Sequence, residues 1–291
     1  MVATAYGLFY VIGKLVVMQM TPLQMTSVRI LFATPILLLL ERLLFKAKIQ
    51  GWDWLKIALL GLMGVGLVQS TIALGLKYTS IFHVGLILGM SPMVAMALAV
   101  ALKQEQFSLH KLFGSILALV GLYFLLATKH GGTTLPATYL WGDLIVLSNV
   151  LSWSLYMIFS KPLLKRYPAF SLTTYAFLST AILTLPFSLP AVMQIAWSGP
   201  ALWGELAYII LFGTVMTYLF NAIALTMVEA STVAAFILLH PVFASIFAYF
   251  ILHETLTPIM MLEGLLILLG VAVATQPQLF HKKLSSRDHP K

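Results

Sequence analysis

The sequence predicts an all-α membrane protein: ten transmembrane helices arranged as two inverted-topology five-helix repeats around a central cavity. Three observations predict it. Of the 291 residues 60% are hydrophobic and only 9% are charged, whereas a water-soluble surface needs roughly a quarter of its residues charged. At about 20 residues per span, this apolar content supports roughly ten spans and leaves about 90 residues for every loop and both ends. The chain also matches itself when slid by about half its length. A soluble enzyme and a folded extramembrane domain are both excluded on these grounds. The absence of cysteine removes disulfides, thiolate metal sites and a cysteine nucleophile together.

Taken in order, hydropathy and loop punctuation place the spans at Ala3 to Met20, Gln24 to Leu44, Trp54 to Leu76, Ile81 to Leu102, Leu109 to Thr128, Tyr139 to Phe159, Phe170 to Pro190, Leu202 to Leu225, Thr232 to Leu252 and Pro258 to Thr275. The first is read as a span rather than a cleaved signal peptide, because no basic region precedes it and no small-residue cleavage site follows. Thirteen of the 17 Lys and Arg residues then share one side: Arg42, Lys46, Lys48, Lys56, Lys103, Lys111, Lys161, Lys165, Arg166, Lys282, Lys283, Arg287 and Lys291. Lys77 and Lys129 fall on the other side, and Lys14 and Arg29 fall within spans. The positive-inside rule therefore predicts a multi-pass protein of the cell (inner) membrane with both termini cytoplasmic. The same distribution argues against a nucleic-acid partner despite the net charge of +8, since the basic residues sit at helix ends rather than on one patch.

A gapless shift of 149 residues superimposes Ala73 on Ala222, Leu76 on Leu225, Pro92 on Pro241, Glu105 on Glu254 and Gly121 on Gly270. A shift of 147 places Lys14 on Lys161 and Tyr6 on Trp153. The predicted organisation is a first repeat over 1–128, an extracytoplasmic linker over 129–138, a second repeat over 139–276 and a cytoplasmic tail over 277–291. Because five spans is an odd number, the second copy enters the bilayer from the opposite side. Two such copies can exchange shapes and expose a midplane site to each side in turn.

The residues that repeat also carry a resemblance. The run Ala73 to Ser80 (ALGLKYTS), Ser91-Pro92, Glu105, Gly114 and Gly121 resembles the EamA family of the drug/metabolite transporter superfamily, as does the second copy with Ala222, Glu229-Ala230-Ser231, Pro241, Glu254, Gly264 and Gly270. Lys14 and Arg29 fit the same pattern, and the resemblance runs from about Ala5 to Thr275. It implies a ten-helix, two-repeat carrier of small metabolites, such as amino-acid-like or amphipathic solutes, often an exporter. The alternative within that reading is an importer or exchanger of a nucleotide-like or cofactor-like solute; the alternative outside transport is a membrane assembly or interaction protein. His240, before Pro241, departs from the family, which more often has a small residue there.

Polar groups inside spans are costly, so each requires a role. The candidate substrate-binding residues are Lys14, Gln69, Ser91, Asn149, Trp153, Tyr156, Tyr218, Asn221 and His240. Lys14 is a deep cation suited to an anionic substrate group, or else one that extends to the interface or pairs structurally. Arg29, about one turn inside the second span, reads as an anchor. Asn149, Trp153 and Tyr156 share a helical face, as do Tyr218 and Asn221; interhelical hydrogen bonding is the plainer use of such residues. Pro92 and Pro241 are candidate hinges: each removes a helical donor, which leaves the carbonyls of Leu88 and Ile237 without one. Gly85 and Gly89, like Ala95 and Ala99, read as close-packing pairs. His240, Glu263 and His83 are the spanning groups suited to proton coupling, with Glu263 equally suited to pairing with Arg29 or Lys14.

No enzyme is predicted. His253-Glu254 begins an HExxH pattern, but Thr257 stands where the second histidine belongs. No phosphate-binding glycine loop, nucleophile elbow or clustered carboxylates appear, so no cofactor or metal is implied. The expected partners are a small-molecule substrate and the lipid bilayer.

Overall fold

A computed structural model of the chain describes residues 2–17, 19–45, 47–79, 81–130, 140–197, 199–252 and 257–285. Among them every regular element is helical. Helix α1 (Val2–Val17) leads into α2 (Pro22–Leu44), whose start is fixed by a reciprocal cap: the Gln24 backbone N–H donates to Thr21 Oγ1 at 3.3 Å, and the Thr21 N–H donates to Gln24 Oε1 at 2.7 Å. The third span is not one regular helix. It consists of α3 (Asp53–Gly61), a π-helical segment (Leu62–Leu67) and α4 (Val68–Tyr78). The fourth is broken into α5 (Ile81–Gly89) and α6 (Ser91–Ala101). The unbroken α7 (Leu109–His130), α8 (Leu140–Leu164) and α9 (Ala169–Met193) follow. The eighth span again has three parts: α10 (Gly199–Ile210), a π-helical segment (Leu211–Met216) and α11 (Thr217–Met227). The ninth runs through α12 (Ala230–Ala235), a 3-10 turn (Phe236–Leu239) and α13 (His240–Leu252), and α14 (Pro258–Ser285) closes the chain.

Nine of these spans are long and apolar enough to cross a membrane among the described residues, and the shorter apolar α1 packs among them as a tenth. Large side chains such as Leu39, Phe113, Phe187, Phe250 and Leu262 point outward, as lipid contact requires.

The interval found in the sequence recurs in the geometry. The π segments Leu62–Leu67 and Leu211–Met216 lie 149 residues apart, as do the starts of α6 at Ser91 and α13 at His240. The residues capping α4 and α11, Thr79 and Val228, have φ/ψ of −135°/174° and −136°/172°. Contacts follow the same correspondence. Helix α1 packs on α13 while α8 packs on α5 and α6, α2 packs on α9, and α7 packs on α14. The α7–α14 crossing brings backbones together at small residues: a Cβ on Gly114 would lie 2.4 Å from the Ala274 nitrogen, and one on Gly270 2.4 Å from the Ala118 nitrogen. Gly85 and Gly89 let α5 lie against Leu126 and Leu122 of α7, the packing role their spacing suggested.

Two expectations need correction. Pro92 and Pro241 do not interrupt continuous helices; each is the second residue of a new half-helix, where a missing N–H costs little. Nor do the carbonyls before them lack donors. The Ser91 hydroxyl donates to the Leu88 carbonyl, and the His240 backbone N–H donates to that of Ile237. The last span keeps its expected bounds, Pro258–Thr275, while the helix α14 that carries it continues to Ser285.

Candidate functional site

The two π segments shape the centre of the molecule. Such a segment widens the helix and shifts its hydrogen-bond register, so a carbonyl can turn outward to a side chain. Gly64 and Gly213, equivalent positions of the two segments, each use this freedom. The Tyr218 hydroxyl donates to the Gly64 carbonyl at 2.9 Å, and Arg29 Nη2 donates to the Gly213 carbonyl at 3.2 Å. Each glycine also lies under an aromatic ring. A Cβ on Gly64 would meet the Tyr156 ring at 2.1 Å, and a Cβ on Gly213 would meet the Phe9 ring at 2.7 Å. The arrangement is symmetric in shape but not in charge, since a phenol occupies one site and a guanidinium the other.

Beside these segments is a cavity of about 400 Å³, lined from both halves of the chain by α1, α2, α4, α8 and α11 and by the broken fourth and ninth spans. Arg29 reaches it from α2, with Nε donating to Thr214 Oγ1 at 2.9 Å and the guanidinium carbon 4.7 Å from the centre of the Phe9 ring. The Tyr6 ring stacks on His240, with centroids 4.6 Å apart and planes 4° from parallel. Trp153 meets Tyr218 edge to face at 5.6 Å and stacks on Tyr156 at 5.3 Å.

Of the residues singled out from the sequence, Gln69, Ser91, Asn149, Trp153, Tyr218, Asn221 and His240 line this cavity. Several are engaged in holding helices together. Asn149 Nδ2 donates to the Val68 carbonyl at 2.6 Å and to Thr71 Oγ1 at 3.0 Å, which joins α8 to α4, and Asn221 Nδ2 donates to the Thr217 carbonyl within α11. Tyr156 does not line the cavity; it is buried behind Trp153 against Gly64. The side chain of Lys14 and residue Glu254 lie outside the described residues. His83 is away from the cavity, its Nδ1 2.8 Å from Asp143, which also accepts from Thr79 Oγ1 at 2.6 Å. Glu263 is buried on α14 and does not line the cavity either. Arg29 forms no ion pair with it; among the described residues the guanidinium bonds to Thr214, Gly213 and the Tyr6 phenol.

Sequence reasoning missed the cavity role of Arg29, and Tyr6 was noted only as a repeat mate of Trp153. A charge this close to the end of a predicted span reads as an anchor until the π segment that receives it is seen. It also missed a polar cluster at one end of the bundle. There Glu105 Oε1 accepts from the backbone N–H groups of Ala230 and Ser231 at 2.7 and 3.4 Å, and Oε2 accepts from the Ser231 hydroxyl at 2.5 Å. Lys111 donates to Glu229, to Ser231 Oγ at 2.8 Å and to Glu105 at 3.4 Å, and Lys161 lies 3.8 Å from Glu105. The cluster ties the loop after α6 to the turn between α11 and α12. The available signal was the recurrence of Glu105 and Glu229-Ala230-Ser231 in the repeat pattern, which carried no geometry.

The profile of the EamA-like transporter family matches residues 1–127 and 140–276. This chain belongs to the EamA-like transporter family. It is 28% identical over 273 residues to an uncharacterized transporter of Archaeoglobus fulgidus, covering 92% of this chain and 93% of that one. It is 26% identical to the uncharacterized transporter YoaV of Bacillus subtilis, with 94% of each chain covered, and 25% identical to a WAT1-related protein of Arabidopsis thaliana over 85% and 75% of the two chains. A crystal structure with 16% sequence identity superposes with a TM-score of 0.78 over 97% of each chain, which shows a shared fold. This EamA-family chain is thus a multi-pass membrane transporter, with nine spanning-length apolar helices and a shorter apolar first helix among the described residues, and its transported solute is a small molecule.

Proposed function

We propose that the protein is a secondary or facilitative carrier of a small polar or amphipathic metabolite, working by alternating access and exporting its solute from the cytoplasm across the inner membrane, with both termini cytoplasmic. Residues 1–128 and 139–276 act as the two inverted halves, joined by the 129–138 linker and followed by the 277–291 tail. The observation that carries this reading is the placement of the cavity. It is lined by repeat-equivalent parts of four interrupted spans: the starts of α4 and α11, which follow the two π segments, and the breaks before Ser91 and His240. Interrupted helices at membrane depth are tolerated where they line a cavity, and they are the places where a half-helix can pivot. Pro92 and Pro241 support such pivots by fixing the first turns of α6 and α13.

Substrate contact is assigned to Gln69, Trp153, Tyr218, Asn221 and His240, which present polar edges and aromatic faces to one space. His240 is also the proton-coupling candidate with access to that space, whereas His83 is held by Asp143 and Glu263 is remote from the lining. Outward direction rests on the family resemblance. The test is solute movement in sealed proteoliposomes, using compounds whose internal and external levels differ between deletion and overexpressing cells. Saturable flux is expected, and covalent change of the solute or no flux would overturn the carrier reading. A pH-gradient response that is lost in His240→Ala while exchange persists would assign the coupling to His240; its full retention there would remove that assignment.

A further inference from the structure

Arg29 is buried, 5% exposed, and its described partners are all neutral: a threonine hydroxyl, a backbone carbonyl, the Tyr6 phenol and the face of a phenyl ring. Those hydrogen bonds leave guanidinium donors to spare, since the group carries five. No carboxylate lies within ion-pair distance of it among the described residues, and none occurs among the described residues that line the cavity. A desolvated cation in that setting has an electrostatic deficit that a bound anion would offset.

A second group on the same wall points the same way. Gln69 is 2% exposed; its side chain lies beside the Tyr218 hydroxyl, and neither amide atom meets a protein partner in full hydrogen-bond geometry. Buried amides are normally satisfied, so an orphaned one facing a cavity marks a place where a ligand atom belongs. The helices that carry the two groups touch beside them. Thr26 Oγ1 donates to the Gln69 backbone carbonyl at 3.3 Å, Arg29 is one helical turn further along α2 from Thr26, and the Arg29 and Gln69 side chains line the same cavity.

We propose that the cavity binds a small organic monocarboxylate, its carboxylate held by Arg29 and Gln69 and its apolar body laid against Tyr6, Trp153 and Tyr218. One guanidinium suits one negative charge, and a planar carboxylate can accept from the guanidinium and the amide together. The absence of a lining carboxylate among the described residues sets the selectivity. The ammonium of an amino acid would find no ion-pair partner, so a plain carboxylate binds more tightly than its α-amino counterpart. That the bound carboxylate is also the transported solute rests on the carrier reading above.

The test compares three probes of one shape on full-length protein in detergent micelles at neutral pH, by calorimetry and tryptophan emission: 3-phenylpropanoate, its neutral amide and phenylalanine. The acid is expected to bind at least about tenfold more tightly than either of the others. Arg29→Gln should bring the acid-to-amide ratio close to one, and Arg29→Lys, which keeps the charge, should leave it severalfold above one. Gln69→Leu should weaken the acid severalfold, which keeps the test open where Arg29→Gln does not fold. Equal binding of acid and amide to the wild type, no binding of the acid, or an undiminished ratio in a folded Arg29→Gln protein would overturn the proposal. Acid that binds but is not moved by proteoliposomes would count against the carrier reading alone, and flux of amide or phenylalanine without acid binding against the carboxylate site alone.

Discussion

Gly64 and Gly213 show how a single missing Cβ can organise the centre of a membrane protein. At Gly64 the added carbon would fall within 2.2 Å of the base of the Tyr156 ring and 2.8 Å of its Cβ, positions that no rotation of the ring can vacate. At Gly213 the nearest atom is a ring-edge carbon of Phe9, which has more room to turn. Gly64→Ala should therefore destabilise by about 1–3 kcal/mol, the ordinary cost of overpacking, and Gly213→Ala by less. Gly204 meets nothing within 4 Å, so Gly204→Ala should be neutral or gain up to about 1 kcal/mol from helix propensity. Thermal unfolding of the three variants in detergent gives the order, and a Gly64→Ala protein as stable as wild type would refute this account of the π segment. These glycines were unremarked in the sequence, because an apolar span with a glycine is common and nothing local tells packing from a widened turn. Gln69, Trp153 and Tyr218 were legible for the opposite reason: polar and amphipathic side chains inside a span are few, and each must face something other than lipid.

At the scale of elements, hydropathy located the spans but not their interior geometry. Length and apolar content report the bilayer thickness, and a π segment or a half-helix break preserves both. What holds the second π segment is a pair of threonines. Thr214 Oγ1 donates to the Ile209 carbonyl at 2.9 Å, and Thr217 Oγ1 donates to the Phe212 carbonyl at 2.7 Å, each five residues back. These hydroxyls satisfy carbonyls that the wider turn would otherwise leave short of a donor, and Thr214 also orients Arg29. Thr217→Val, close to isosteric, should cost about 1–3 kcal/mol by leaving a buried carbonyl unsatisfied. The same change at Thr184, whose hydroxyl donates within an ordinary turn of α9 to the Thr180 carbonyl at 2.8 Å, should cost less. Equal unfolding midpoints for Thr217→Val and wild type would mean that the π segment is held by packing alone. The prolines teach a related lesson. Read from sequence they break helices, whereas in the structure each sits just inside a helix start, and the breaks are closed by Ser91 and by the His240 backbone.

For the whole molecule, the repeat was legible because it is written in residue identities at a fixed interval, while the contacts that lock one end of the bundle were not. Those contacts lie between loops far apart in sequence, so no local pattern could announce them. The Glu105 cluster ties the loop after α6 to the turn before α12, and Val228, in that turn, lines the cavity. The proposed orientation puts this end at the cytoplasmic face and predicts that a cysteine at Thr133 labels only from outside. If the two halves rock against each other, the cluster is a contact that must part for the cavity to open at its own end. Glu105 is buried and takes donors from Ala230, Ser231 and Lys111, so Glu105→Gln removes the charge that gathers them while keeping the side chain's shape. The population should shift toward the form open at that end. In a chain with no native cysteine, Val228→Cys reports the shift directly. Its reaction with a membrane-impermeant thiol reagent applied from the cytoplasmic side should quicken severalfold when Glu105→Gln is added, and Lys111→Met should act in the same direction. An unchanged rate in both backgrounds would show that the cluster holds loops together without governing access to the cavity.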